Sequence, residues 1–103
     1  MNQTVNKIKR LEKFVTHKGT EDQVLDITIN KILHREIIKL QAQIEIFDLE
    51  LNQFEKKHNM GSMYFKKQFE SGKLGDDMDF IEWISTIEMK KKAKEYISNL
   101  QGE

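Results

Sequence analysis

Between Glu21 and Lys57 the chain contains neither proline nor glycine, and apolar side chains recur there at Leu33, Ile37, Leu40, Ile44, Phe47, Leu51 and Phe54. The steps alternate between four and three residues, the heptad spacing of a helix that hides one edge. A strand cannot use this pattern, because its two faces alternate at every second residue. An unbroken helix over 21–57 would run roughly 55 Å at about 1.5 Å per residue. Ile37, Ile44 and Leu51 take a positions, and Leu33, Leu40, Phe47 and Phe54 take d positions. Ile at a with Leu at d favours two-stranded parallel packing, a preference the two phenylalanines dilute. The seam is therefore expected to hold a homodimer. Upstream, Leu25, Ile29 and Ile32 make a slightly rotated stripe, which points to a different neighbour, the first helix. Ile38, Ile46 and Leu49 lie off the seam, and a further helix is expected to cover them.

Glycines divide the rest. Val5, Ile8, Leu11 and Val15, with Phe14 beside them, predict a first helix over 5–17 that stops at His17-Lys18-Gly19. Thr20 and Gln23 have capping-box spacing for the long helix, and Glu21 and Asp22 favour its positive end. After Asn59-Met60-Gly61, Ser62 is a candidate cap for a short helix over 62–71 carrying Tyr64, Phe65 and Phe69. Gly72 and Gly75 flank Leu74 in a tight connection, both free to take left-handed conformations. Asp79 and Glu82 are spaced as a cap and its reciprocal partner. They open a last helix over 79–101 that buries Phe80, Trp83, Ile84 and Ile87 and continues through Met89, Ala93, Tyr96, Ile97 and Leu100. At roughly 35 Å this helix is too short to cover the long one, so part of the long helix is expected to meet another chain. The expected fold is all-α, a single domain over 1–103. Its long and last helices form an antiparallel hairpin with a short helical insert, paired as a coiled-coil-like dimer.

Composition narrows the function classes. With no cysteine, the chain has no disulfide framework, thiolate metal site or cysteine nucleophile, as suits a reducing cytoplasm. Its apolar runs are too short for a membrane span, and residues 1–15 lack the apolar core of a secretory signal. A cytoplasmic protein with no membrane partner is expected. The zero net charge is unevenly spread, about +4 over 1–19, about −3 over 20–59, about −3 over 60–88 and about +2 over 89–103. Neither basic end interleaves cations with aromatics, and no helix-turn-helix or zinc pattern accompanies them, so a nucleic-acid partner is not expected. Lys90-Lys91-Lys92 reads as a solvated face in a last helix whose negative end it offsets.

Three features could carry chemistry, and each has a plainer use. Glu55 and His58 have the Glu-x-x-His spacing of di-iron bundles, but that site needs a second copy and two more inward carboxylates. His58 also falls at the next seam position after Phe54. Asp76, Asp77, Asp79 and Glu82 cluster at a glycine turn without the order of a calcium loop, and acids at a helix start serve as caps. His17, His34 and His58 are scattered. No nucleophile elbow or phosphate-cradling glycine loop is present. No catalytic residue, metal or cofactor is therefore assigned, and a metal-dependent enzyme using Glu55 and His58 is the remotest alternative.

The stretch Phe54-Glu55-Lys56-Lys57-His58-Asn59-Met60-Gly61-Ser62, followed by Phe65 and by Phe69 through Trp83, carries a resemblance. It is similar to a family of small prokaryotic helical proteins with a Met-Ser…Phe…Phe-Glu-x-Gly-x-Leu-Gly-Asp-Asp-x-Asp-Phe-x-Glu-Trp pattern. The likeness extends more loosely over the long helix, to about four fifths of the chain. Many members resemble antitoxins encoded beside a small toxin of the TumE type. The resemblance implies a non-enzymatic protein-binding module whose partner is a cognate toxin, and it supplies no catalytic residues. Two departures stand out: His58-Asn59 replaces a usual Tyr-Gly, and Lys90 stands where an aromatic residue is expected. Read physically, Gly72, Gly75, Asp76 and Asp79 hold a reversal that lets Phe80 and Trp83 pack toward Phe65 and Phe69. Tyr64, Leu74 or Trp83, if exposed, would instead anchor a partner. The alternative function is a stand-alone coiled-coil adaptor or oligomerisation protein.

Overall fold

The computed structural model describes residues 2–19 and 21–103, and every regular element in them is a helix. These are α1 (Gln3–Lys18), α2 (Gln23–His58), α3 (Ser62–Glu70) and α4 (Met78–Leu100). The all-α fold anticipated from the heptads is the fold observed. Contacts divide the chain into two compact units, Met1–Lys31 and Ile32–Glu103, with the boundary inside the continuous helix α2.

In the first unit, Asn2 caps α1 by accepting the amides of Thr4 at 2.9 Å and Val5 at 3.2 Å. Gly19, at φ 69°, ends the helix by donating its amide to the Val15 carbonyl at 3.1 Å. The capping pair expected from Thr20 falls outside the described residues. Gln23 is instead the first helical residue of α2, and Asp22 does the capping, its carboxylate accepting the Leu25 amide at 3.1 Å. No residue of α1 is buried.

The second unit holds a hairpin-like pair, α2 and α4, with α3 inserted between them in sequence. As the α2 partner moves back from His58 to Phe54, Glu50 and Asp48, the α4 partner advances from Asp79 to Trp83, Thr86 and Lys90. The pairing is antiparallel. Its core is Leu51, Phe65 and Trp83, ringed by Phe54, Met60, Phe69, Leu74, Phe80, Ile84 and Ile87.

The connections differ from expectation in three places, each for a local reason. Ser62 lies inside α3 rather than capping it. Gly61 holds the cap position, and the Glu55 carboxylate accepts the Ser62 amide at 2.9 Å. Asp77 caps α4, accepting the Asp79 amide at 2.9 Å. Asp79 is thereby left free for cationic partners on α2. Of the two glycines in the α3–α4 turn only Gly72 takes a positive φ, 77°. Asn59 adopts the left-handed conformation, φ 54°, which asparagine tolerates better than most residues.

Candidate functional site

The motif residues assemble one corner. Trp83 and Phe65 are fully buried, and their rings stack at 3.9 Å between centroids with planes 1° apart. Phe54 stacks on the same indole at 5.6 Å and His58 at 5.5 Å. Phe69 and Phe80 tilt against Phe65, each at 5.6 Å. The indole N–H, which must find a partner once buried, donates to the Ser62 hydroxyl at 2.9 Å. Trp83 therefore cannot be a partner anchor, and half-buried Leu74 packs on the same core. Tyr64 stands exposed on α3, while Gly72, Gly75 and Asp76 lie at the surface of the turn.

Charged groups clasp the corner from outside. Asp79 sits 2.7 Å from Lys57 Nζ and 2.8 Å from His58 Nε2. The hydrogen bond from Lys57, then that from His58, holds the Asp79 carboxyl below its usual range, and the same contact raises Lys57. Glu55 and His58 thus turn to separate partners, the Ser62 amide and Asp79, and share no metal-binding geometry. The acidic cluster is likewise divided, Asp77 into a cap and Asp79 into ion pairs. Among the described residues no group of three or more His, Asp or Glu side chains is placed to hold a metal ion.

The heptad face is where α4 lies. Leu51 is buried and Phe54 half-buried against Trp83, on the stretch of α2 from Asp48 to His58 that α4 accompanies. Leu33, Ile37, Leu40, Ile44 and Phe47 are half-buried. The face assigned to self-association is therefore used, over its C-terminal part, by a helix of the same chain. Lys90, read as a solvated cation, instead bridges α4 to α2 through Asp48 at 2.6 Å.

Several apolar faces remain open, and upstream on α2 Val24, Ile27, Ile29 and Ile32 are exposed, so the stripe expected to meet the first helix is not buried. On α2, Ile38, Ala42, Ile46 and Leu49 share the side opposite the seam, and all four are exposed. The helix expected to cover them is absent from the described residues of this unit, because α4 takes the seam and α3 the corner. On α1, Val5, Ile8, Leu11, Phe14 and Val15 are all exposed, the least so being Val15 at 38%. One feature escaped sequence reasoning, a lysine-rimmed hollow between the second unit's three helices. Its trace is the spacing of Ile87, Lys90, Lys91 and Lys94, which fall on one side of α4.

The described residues define a class: helices with amphipathic faces open to solvent and, in the second unit, a small aromatic core. No helix among the described residues is long and apolar enough to cross a membrane. No protein-family model, curated protein or solved structure matches the chain.

Proposed function

We propose that the chain is a non-enzymatic protein-binding module, an antitoxin-like component that binds and neutralises a co-encoded toxin by covering its surface. The observation that carries this reading is α1, an amphipathic helix of 16 residues that buries none of them. Isolated helices of this length are marginal in water, since most helical stability in proteins comes from packing an amphipathic face. A partner surface would supply that packing. The exposed Ile38–Leu49 stripe of α2 offers a second face, and contiguous exposed apolar surface commonly marks interaction sites. The toxin identity rests on the resemblance of the 54–83 motif to antitoxin-like proteins. Cysteine-free composition suits a cytoplasmic pair.

The test is co-expression of the full chain with the neighbouring small open reading frame. The reading expects a co-purifying complex and restored growth of cells that the neighbour alone arrests. A chain that self-associates, co-purifies with nothing and restores no growth is instead a stand-alone oligomerisation protein.

A further inference from the structure

The lysine-rimmed hollow lies where α2, α3 and α4 of the second unit meet. It has a volume of about 320 Å³, with Leu51 and Ile87 as its apolar floor and Ser62 and Met63 at one lip. Four lysines, Lys66, Lys90, Lys91 and Lys94, form its rim. Two have internal partners: Lys66 with Glu88 at 3.3 Å and Lys90 with Asp48 at 2.6 Å. Lys91 and Lys94 are exposed and make no ion pair among the described residues.

We infer that this hollow is a docking groove for an acidic amphipathic helix of a protein partner. The helix inserts a large aliphatic side chain over Leu51 and Ile87 and sets carboxylates against Lys91 and Lys94. This rests on the reading of the chain as a protein-binding module. The size sits at the small end of ligand sites, about 300–1,000 Å³, which suits an inserted side chain. Helix-in-groove recognition uses such apolar anchors at helical spacing.

Charge selects the occupant. The chain's own spare amphipathic helix, α1, carries Lys7, Lys9, Arg10, Lys13 and Lys18 against a single Glu12. Brought to the lysine rim it would place like charge on like charge, which costs affinity. A nucleic-acid backbone is disfavoured from the other side. Phosphates and sugars have no aliphatic group to lay over Leu51 and Ile87, which a large apolar side chain of a helix covers. An acidic helix with an apolar ridge matches both the floor and the free cations.

The experiment uses the isotope-labelled full chain and two helical peptides with the same leucine spacing, one otherwise rich in glutamate, the other in lysine. The glutamate peptide is expected to shift the amide resonances of Leu51, Met63, Ile87, Lys91 and Lys94, and the lysine peptide to leave them unmoved. Lys91→Glu with Lys94→Glu, both at exposed positions, should weaken the glutamate peptide about tenfold or more, and Lys91→Arg with Lys94→Arg should preserve it. Circular dichroism checks that each variant keeps its helices. Equal binding of both peptides, or shifts confined to other residues, overturns the inference. So does a DNA duplex that displaces the glutamate peptide, or a concentration-dependent shift of the groove with no peptide present, which would make a second copy the occupant. If the chain captures its toxin while the glutamate peptide leaves the groove unmoved, the groove falls and the antitoxin reading stands. If the groove shifts but no toxin is captured, the groove stands and the antitoxin reading falls.

Discussion

Phe65 of α3 and Trp83 of α4 lie face to face, with 3.9 Å between ring centroids and 1° between planes, and both side chains are fully buried. Phe54 of α2 stacks on the same indole at 5.6 Å, so the only tryptophan in the chain is the point at which three helices meet. The fully and nearly buried apolar core here is short: Leu51, Phe65, Trp83 and, further along α4, Ala93. Removing one of its aromatic rings has few neighbours to absorb the loss.

Phe65→Ala should cost about 3–5 kcal/mol, the usual range for truncating a buried aromatic. Small domains hold only about 5–15 kcal/mol in all, so this variant is expected to lose much of its cooperative unfolding transition by urea titration. Helical signal from α1, none of whose residues is buried, should be less affected. A Phe65→Ala chain that unfolds at the wild-type midpoint would show that the stack contributes nothing.

The Asp79 clasp gives stability a defined pH dependence. Its carboxyl is held below the usual range by the Lys57 hydrogen bond and then by His58. A carboxyl lowered in the folded state adds stability that is complete above its unfolded pKa and is lost as pH falls through the folded value. Lys57, raised by the same contact, contributes below its unfolded pKa and loses that contribution as pH rises through the raised value. Because Lys57 is largely exposed, solvent screening keeps its share small. Asp79→Asn is therefore expected to be less stable than wild type near neutrality, the gap beginning to close below about pH 4, where the unfolded carboxyl takes up protons, and vanishing only in stronger acid, below the lowered folded value. Denaturation midpoints measured across pH check this. A constant gap down to strong acid would mean the clasp is not ionic.

Gly72 and Gly75 look alike in the sequence, and the backbone separates them. Neither would meet a neighbouring atom within 4 Å if it gained a Cβ, but only Gly72 has positive φ, 77°. Gly72→Ala should cost about 1–2 kcal/mol through backbone strain alone, whereas Gly75→Ala should stay within about 0.5 kcal/mol of wild type. Equal effects at the two sites, by thermal unfolding, would rule out strain in the left-handed turn as the cause.

What could be read ahead of the structure follows from how local each signal is. Helix existence and order were legible because a glycine-free heptad stretch and three glycine-marked breaks are local patterns. The aromatic corner was legible for the same reason, since Phe80 and Trp83 share one turn-spaced face and the preceding turn can only fold back. Cap assignments slipped by a residue or two because competition among nearby acids is settled by tertiary partners: Asp79 is drawn to Lys57 and His58, so Asp77 caps instead. The partner of the seam was not legible. A heptad reports that an edge is hidden, not whether the covering helix belongs to the same chain, and from Asp48 to His58 that helix is α4. The lysine groove left only a partial trace, Ile87, Lys90, Lys91 and Lys94 on one side of α4, since Leu51, Met63 and Ile87 come from three helices.

The sharpest separation of folding from function lies in α1. Ile8 and Leu11 are 58% and 50% exposed, and no residue of their helix is buried. Ile8→Glu together with Leu11→Glu replaces apolar surface already in water, so the thermal midpoint of the chain alone should barely move, within about 0.5 kcal/mol for each surface substitution. The same pair would place two carboxylates in any interface the α1 stripe forms, and charges buried there without partners cost several kcal/mol, about 3–5. Co-purification with the neighbouring gene product and growth rescue should therefore both fail while the protein remains folded. A variant that still rescues growth assigns toxin binding to another face, of which the Ile38–Leu49 stripe of α2 is the next to mutate. A variant whose thermal midpoint collapses shows that the α1 stripe is packed within the chain, and the proposal loses the observation that carries it.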